Sequence, residues 1–395
     1  MSNTTQLKFE NLYTLSTWGL RKSRAHPEIP KNLKWLVEFS CMLGVNVYCV
    51  GLLLYSIWFH DIKADNLVMA FRNMTMVILA FIINSMYFVL VFYQKPIKEI
   101  IHAIDEDYST IQQWNDEEKY ILFSYIEKSK RVCKLWFVSA IVTSSLFPLK
   151  SIVLMIYYYA IGEFRPVSMF EVSYPSYLDE HKNDLGLFLF LYLMHILFAI
   201  YAAALIMGFE PLAPIFVLHA SALLKVASVR MMKLFDERQV MAQIIQLKQI
   251  VQLSQHIDRL IDNINYSFMY IYEIIMKFTP IAISIVSILV IETLKEGEIN
   301  LEFISFLGGC FLNCFIPCYY SDHLIEMANE FRVSLYSCGW EKRGETQPRR
   351  MLLNMLTRSS RPPAIHTMFS SLCLDAFSEV CRQAYTLFNL LNAVW

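Results

Sequence analysis

The sequence is most decisive at residues 185–209, which read LGLFLFLYLMHILFAIYAAALIMGF. This stretch contains no lysine, arginine, aspartate or glutamate, and it lies between Asp184 and Glu210. An α-helix needs about 20 consecutive apolar residues to cross the hydrocarbon core of a bilayer. Residues 185–209 therefore predict a transmembrane helix, and the rest of the chain can be compared with it.

Six further stretches have a similar length and apolar character. The seven predicted spans are 33–59, 67–93, 133–160, 185–209, 266–293, 301–321 and 367–395. Hydrophobic residues make up 56% of the chain, above the roughly 45–50% of soluble domains. The sequence thus predicts an all-α fold, a seven-transmembrane helix bundle. The first apolar stretch is too long for the core of a signal peptide, so we expect it to be retained as span one.

The loops divide the chain into six parts. These are an N-terminal segment at 1–32, spans one to four at 33–209, a helical segment at 210–265, spans five and six at 266–321, a second helical segment at 322–366, and span seven at 367–395.

Lysine and arginine are distributed unevenly between these parts. The N-terminal segment and the loops after spans two, four and six carry 24 of them, whereas the opposite loops carry only Lys63, Arg165, Lys182 and Lys295. Positive residues are retained on the cytoplasmic side of a membrane. We therefore expect the N-terminus in the cytoplasm and the C-terminus outside, the reverse of a G-protein-coupled receptor. The acidic-Arg-Tyr and Asn-Pro-x-x-Tyr signatures typical of that class are also missing.

Other functional classes receive little support. The net charge of -1 gives no reason to expect a nucleic-acid partner. The loops predicted to lie outside contain no cysteine, so we expect no disulfide framework. Cys310, Cys314 and Cys318 share one helix face, but without matching histidines or carboxylates they are better interpreted as packing residues than as a metal site. We find no recognisable catalytic arrangement and no internal repeat of the kind common in secondary transporters, and we expect no cofactor.

The cytoplasmic segments are predicted to be helical. Apolar residues recur at three-four spacing over 240–264, and this amphipathic helix leads directly into span five. It could lie on the lipid surface, or extend below the membrane and pack against other helices; its few cations favour packing. Span six is expected to continue through 321–340, and 349–357 forms a further helix. Together these segments predict a helical anchor beneath the membrane.

Span seven is the least hydrophobic of the seven. Positions that share one helical face are 375, 379, 382, 386, 389 and 393, and all except Ala393 are polar. A charged side chain facing lipid at mid-bilayer costs at least about 2.5–3.5 kcal/mol. This face, which includes Glu379, Thr386 and Asn389, therefore forms a network buried within one chain or lines an aqueous path in an oligomer. Apolar neighbours near the outer end, Leu390 and Val394, could close such a path by dewetting.

The outer halves of the other spans are rich in aromatic residues and methionine. A cavity with such walls and a few hydroxyls suits small apolar molecules. The candidate ligand-binding residues are Phe71, Met74, Phe147, Ser151, Leu154, Tyr158, Phe188, Tyr192, His195 and Phe306. Two polar residues have alternative interpretations. His195 is either a packed histidine or a ligand contact. Lys150 either snorkels along a helix that is kinked at Pro148, or lines a pocket.

Several motifs near the C-terminus resemble those of the insect odorant receptors. The stretch 318–340 contains Ala-Asn, Ser-Leu-Tyr and a closing Gly-Trp, as in the family's sixth-span exit. The family's next cytoplasmic block is similar to two stretches of this chain. These are Arg-Arg-Met-Leu-Leu at 349–353 and Thr-Arg-Ser at 357–359, which is followed by Pro362. Ala-Tyr-Thr-Leu-Phe-Asn-Leu-Leu at 384–391 resembles its closing motif. Length, span number and orientation agree over the whole chain.

The resemblance implies an odorant-gated nonselective cation channel in the plasma membrane of a sensory neuron. Members of that family assemble as tetramers, usually of an odour-tuned subunit and a shared odorant co-receptor, with the last span lining the pore. When the last span is aligned end to end with that of the family, Leu390 and Val394 fall at the hydrophobic gate positions. The co-receptor carries a long insertion that the segment 210–265 lacks, so the chain resembles a tuning subunit. Alternatives are a gustatory-type ligand-gated channel, although the closing motif departs from the gustatory pattern at Ala384 and Leu391, and a G-protein-coupled receptor.

Overall fold

The structure is a computed structural model that describes residues 7–163, 165–236, 239–297, 299–342 and 346–394. Within these ranges the fold is all-helical, without β-strands. The helices are α1 Phe9–Leu12, α2 Thr14–Lys22, α3 Leu33–Ser56, α4 Leu67–Phe92, α5 Gln94–Thr110, α6 Asp116–Ile161, α7 Ser176–His181, α8 Leu185–Phe209, α9 Leu212–Met232, α10 Val240–Lys295, α11 Leu301–Ser337, α12 Thr346–Arg358 and α13 Leu374–Val394.

Six elements are long and apolar enough to cross a membrane. They are α3, α4, α6, α8 with α9, α10 and α11, and they contain the first six predicted spans. Proline lies well inside α6, α10 and α11, at Pro148, Pro280 and Pro317, but each helix continues past it. Span seven corresponds to α13, which begins at Leu374 and not at residue 367. A turn precedes it, in which the Leu372 amide donates to the Ile365 carbonyl at 2.8 Å.

Three helices, α6, α10 and α11, are much longer than the thickness of a bilayer. α10 has 56 residues and so extends over about 84 Å at 1.5 Å per residue, against a hydrocarbon core of about 30 Å. Its first half buries Leu247, Ile257, Leu260 and Ile264 against neighbouring helices. The structure confirms that the amphipathic segment at 240–264 packs against other helices.

A helical cluster, which we call the base, forms at one end of the molecule. It consists of α1, α2, α5, α9, α12 and the adjoining parts of α6, α10 and α11 at 116–132, 240–265 and 322–337. α9 lies at its centre and packs against α6, α10 and α11. Nearly all of its residues are buried, because helices cover it on several sides. The opposite end carries the loop between α6 and α8, and we call it the loop end.

Two glycines fix the packing of the N-terminal segment on the bundle. Gly19 of α2 meets Gly208 of α8 so closely that a Cβ atom on Gly19 would lie 2.7 Å from the Ala204 carbonyl oxygen and 2.7 Å from the Gly208 nitrogen. The Ser16 hydroxyl donates to the Gly208 carbonyl at 2.8 Å. Only glycine permits such close backbone approach.

Buried polar contacts connect the helices of the base. Arg230 of α9 makes a bidentate pair with the buried Glu118 of α6, both contacts being 2.9 Å. Asp107 of α5 accepts from Nε2 of His219 on α9 at 2.8 Å and from Nε2 of His256 on α10 at 3.0 Å. Burial acts to raise the pKa of Asp107, but the two histidine hydrogen bonds outweigh it and leave that pKa below its ordinary value. One carboxylate thus connects three helices.

Candidate ligand cavity and pore-lining helix

A central cavity of about 110 Å³ lies among α4, α6, α8, α10 and α11. Its walls carry mainly methyl, thioether and aromatic groups, including Met76, Phe147, Phe198 and Phe306. Few of its lining residues are polar. Such a cavity gains little by holding water and is suited to a small apolar molecule.

The loop after α6 covers the cavity at the loop end. Phe170 of this loop lines the cavity, and its ring lies 5.6 Å from that of Phe147 and 5.0 Å from that of His195. The Ser151 hydroxyl donates to the Val167 carbonyl at 2.6 Å, and Glu171 forms an ion pair with Arg72. The loop is therefore fixed on both sides of Phe170 and separates the cavity from the loop-end surface.

A second, smaller cavity of about 40 Å³ lies next to the first and includes the charged residues Arg72, Lys150 and Glu302 in its otherwise largely apolar lining. Lys150 projects into it, with Nζ 2.6 Å from Glu302 Oε1 and 3.1 Å from Asn300 Oδ1. Of the two interpretations of Lys150, the structure therefore favours a pocket-lining residue, because its charge is paired with Glu302. The ion pair connects α6 to the first turn of α11.

The structure distributes the predicted ligand-binding residues over three cavities. Phe147 and Phe306 line the central one, and Phe147, Ser151 and Leu154 line the smaller one. Phe188 and Tyr192 line a third, near the surface at the loop end. The remaining residues, which line none of these three cavities, are Phe71, Met74, Tyr158 and His195.

His195 is buried in the bundle, with 2% of its surface exposed. It does not line the central cavity, and its ring lies against that of Phe170, which does. The structure therefore places it as a packed residue behind the cavity wall.

Sequence reasoning missed several residues of the central cavity. Phe170 and Met169 come from a loop whose path the sequence did not indicate. Glu210 was missed for a different reason, because it directly follows the apolar run 185–209 and was placed outside the membrane. Asn313, which contacts it, was missed with it. The available signal was a carboxylate between an uncharged span and Pro211.

Helix α13 packs on the bundle along a narrow apolar stripe. Val380 and Ala384 are buried against α10, and the Phe377 ring lies 5.4 Å from that of Phe315 on α11. The Ser284 hydroxyl of α10 lies 2.7 Å from the carbonyl oxygen of Ala384. The contacts leave most of the helix surface open.

The polar face of α13 is not buried inside the bundle. Arg382, Thr386 and Asn389 are exposed and Glu379 is partly exposed, so within the described part of the chain no network shields this face. Glu379 pairs with its helix neighbours, Arg382 and Gln383. The face therefore requires water or another polar surface beside it.

The two predicted gate residues lie near the end of α13. Leu390 is 60% exposed. The side chain of Val394 lies outside the part of the chain that the structure describes.

The six long apolar helices indicate a multi-pass membrane protein. The family model for the 7tm odorant receptors matches residues 66–385, so the chain belongs to the odorant receptor family. This is a receptor and channel family and not an enzyme class. Comparison with curated proteins found no match.

Two solved structures of one insect protein are similar to the chain. The olfactory receptor OR5 from Machilis hrabei in complex with eugenol superimposes with a TM-score of 0.73 at 13% identity, covering 98% of this chain and 100% of that one. The structure of the same receptor described without eugenol gives a TM-score of 0.70 at 14% identity, with the same coverage. At this identity the likeness shows the fold alone, and it extends over the whole chain.

Proposed function

We propose that the protein is an odorant-gated, nonselective cation channel subunit that binds a small volatile molecule between its spans. The observation that carries the proposal is the central cavity, which is mainly apolar, lies between the helices of the bundle and is covered by Phe170 of the loop. The family match favours the odorant receptors over the gustatory alternative. OR5 from Machilis hrabei is described in complex with eugenol, a ligand of the size and polarity that such a cavity suits.

Two helices connect the cavity to α13. Thr279 and Ala282 of α10 line the cavity, and Ser284, close by on the same helix, contacts the Ala384 carbonyl. On α11, Asn313 lines the cavity and Phe315 packs on Phe377 of α13. A ligand that shifts α10 or α11 therefore displaces the helix that carries the polar face. Opening requires only that the ligand binds the open arrangement better than the closed one.

The exposed polar face of α13 supports a pore at the centre of an assembly. Gathering this helix from four subunits around water would satisfy Arg382, Thr386 and Asn389, which would otherwise face lipid at considerable cost. Leu390 and Val394 would close the path near its outer end. We propose a heterotetramer with the odorant co-receptor, in the plasma membrane of a sensory neuron, with the N-terminus and the base in the cytoplasm.

The direct test is a current measurement in cells that express the chain with an odorant co-receptor, exposed to a panel of chemically diverse volatiles. Ala202 lines the cavity, so Ala202→Phe should fill part of it and raise the half-activating concentration by about tenfold or more. Ala160→Phe, at an exposed position near the end of α6 and outside the cavity, is the matched control and should leave the response unchanged. A panel that evokes no current in the wild type would contradict the proposed function.

A further inference from the structure

The central cavity ends at a buried carboxylate. Glu210 lies between α8 and α9, lines the cavity and is 5% exposed. Among the described residues, no lysine, arginine or histidine forms an ion pair with it. A carboxylate removed from water and left without a cation is costly unless other donors compensate.

One side-chain amide partly compensates this carboxylate. With its amide nitrogen turned toward Glu210, Asn313 of α11 lies 3.0 Å from Oε1 and 3.2 Å from Oε2. A carboxylate has about four lone-pair sites, and one NH₂ group satisfies at most two of them. The remaining acceptor capacity of Glu210 lies at the wall of the cavity, where the side chain of Ile206 offers no donor. The indole N–H of Trp136, another lining residue, has no hydrogen-bond partner among the described residues.

The separation of two lining residues along α11 indicates the length of ligand that the central cavity can hold. Phe306 and Asn313 both line the cavity and lie two helical turns apart, about 10 Å at 1.5 Å per residue. A molecule of that length can contact the aromatic walls at the loop end and reach Glu210 with its other end.

We propose that the gating ligand of this receptor is a small apolar molecule with a terminal hydrogen-bond donor, a hydroxyl or an amino group, which Glu210 accepts. The inference rests on the proposed function and adds the chemical class of the ligand. A hydrocarbon of the same carbon skeleton has no donor, so the free lone pairs of Glu210 remain without a hydrogen bond. A ketone carries only an acceptor and cannot satisfy the free lone pairs of the Glu210 oxygens. A site built around a hydrogen bond discriminates strongly against analogues that lack it.

The test compares matched probes on the receptor expressed with its co-receptor. The linear set is octane, 2-octanone, 1-octanol and 1-octylamine, and the aromatic set is ethylbenzene, acetophenone, 1-phenylethanol and 1-phenylethylamine. In the wild type, the alcohol or the amine of a set should activate at concentrations about 10- to 100-fold lower than the ketone. A wild type that responds to none of the donor-bearing probes, or equally to ketone and donor, overturns the inference.

Substitution at the carboxylate assigns the preference to Glu210. Glu210→Gln should reduce the ratio between ketone and donor to near one, with the amine affected more than the alcohol if an ion pair is formed. Glu163→Gln, at an exposed glutamate near the loop end, should keep the wild-type ratio. If Glu210→Gln fails to reach the cell surface, Asn313→Leu serves instead: it leaves the carboxylate and should retain or increase the preference for donors.

The two proposals fail in different ways. An unchanged ratio in Glu210→Gln, with currents still evoked, overturns the ligand class and leaves the channel function intact. A loss of donor preference in Asn313→Leu would also overturn it. Silence of the wild type toward every volatile of a broad panel contradicts the channel function itself.

Discussion

The base and the membrane-spanning half of the bundle differ in how tightly their helices are held. In the base, α9 is enclosed by its neighbours, and Glu118, Arg230 and Asp107 join helices through side-chain contacts. In the membrane-spanning half, five helices leave a cavity between them, and α13 is attached along one stripe. Under the proposed function this difference corresponds to a division of roles, in which the base is the fixed support and the helices around the cavity rearrange when a ligand enters.

The largest expected effect comes from breaking the ion pair at the centre of the base. Arg230→Ala leaves Glu118, which is 5% exposed, without its cation. We expect the free energy of unfolding to fall by about 3–5 kcal/mol, measured by thermal or denaturant unfolding of the purified protein. Lys233→Ala is the matched control, since Lys233 and Glu117 are both about half exposed and such a pair contributes about 0–1 kcal/mol. Equal losses in the two variants would contradict the account of the base.

A smaller loss should follow from separating α2 from α8. In Gly19→Ala the new Cβ atom would meet backbone atoms at 2.7 Å, and such overpacking costs about 1–3 kcal/mol. Gly44→Ala is the control, because nothing lies within 4 Å of a Cβ atom there. That variant should be stabilised by up to about 1 kcal/mol through helix propensity. Two melting temperatures that shift in the same direction would show that the close approach at Gly19 is not required.

The attachment of α13 can be weakened without touching the cavity. Ser284→Ala removes a hydroxyl that contacts the Ala384 carbonyl, an interaction of about 0.5–1.5 kcal/mol. We expect the half-activating ligand concentration to change by about two- to tenfold, with surface expression unchanged. Ser85→Ala, where an exposed hydroxyl bonds only within its own helix, should have no effect. Identical dose-response curves for Ser284→Ala and the wild type would remove this contact from the coupling.

The smallest effect concerns the carboxylate that connects α5, α9 and α10. Because the pKa of Asp107 is lowered in the folded state, its contribution to stability is full above the ordinary carboxyl pKa of about 4. The contribution is lost as the pH falls through the lowered value. The melting temperature of the wild type should therefore exceed that of Asp107→Asn at neutral pH, and the gap should narrow below about pH 4. Asp116→Asn, at a fully exposed carboxylate, should show no such gap; a constant gap for Asp107→Asn would exclude the linkage.

The sequence predicted the parts of this architecture that depend on local pattern. Apolar runs located the first six spans, and the three-four spacing at 240–264 predicted a helix that packs. Contacts between distant segments were not predictable in this way. Glu210 and Asn313 meet across about a hundred positions of chain, and the placement of Phe170 depends on Ser151 and Arg72, which belong to other helices. The start of α13 was also missed, because the turn before it is held by Asn265 of α10 through the His366 amide.

The central claim is that the polar face of α13 borders water in an assembled channel. The most direct measurement is the rate at which a charged, membrane-impermeant methanethiosulfonate labels Thr386→Cys in cells that also express the co-receptor. The account predicts labelling that is faster with an activating volatile than without one. Phe388→Cys, on the partly buried side of the helix, should show only the background of the wild type, which comes from native cysteines such as Cys41, Cys373 and Cys381. Labelling of Thr386→Cys that never rises above the wild-type level, with ligand-evoked current intact, would contradict the claim.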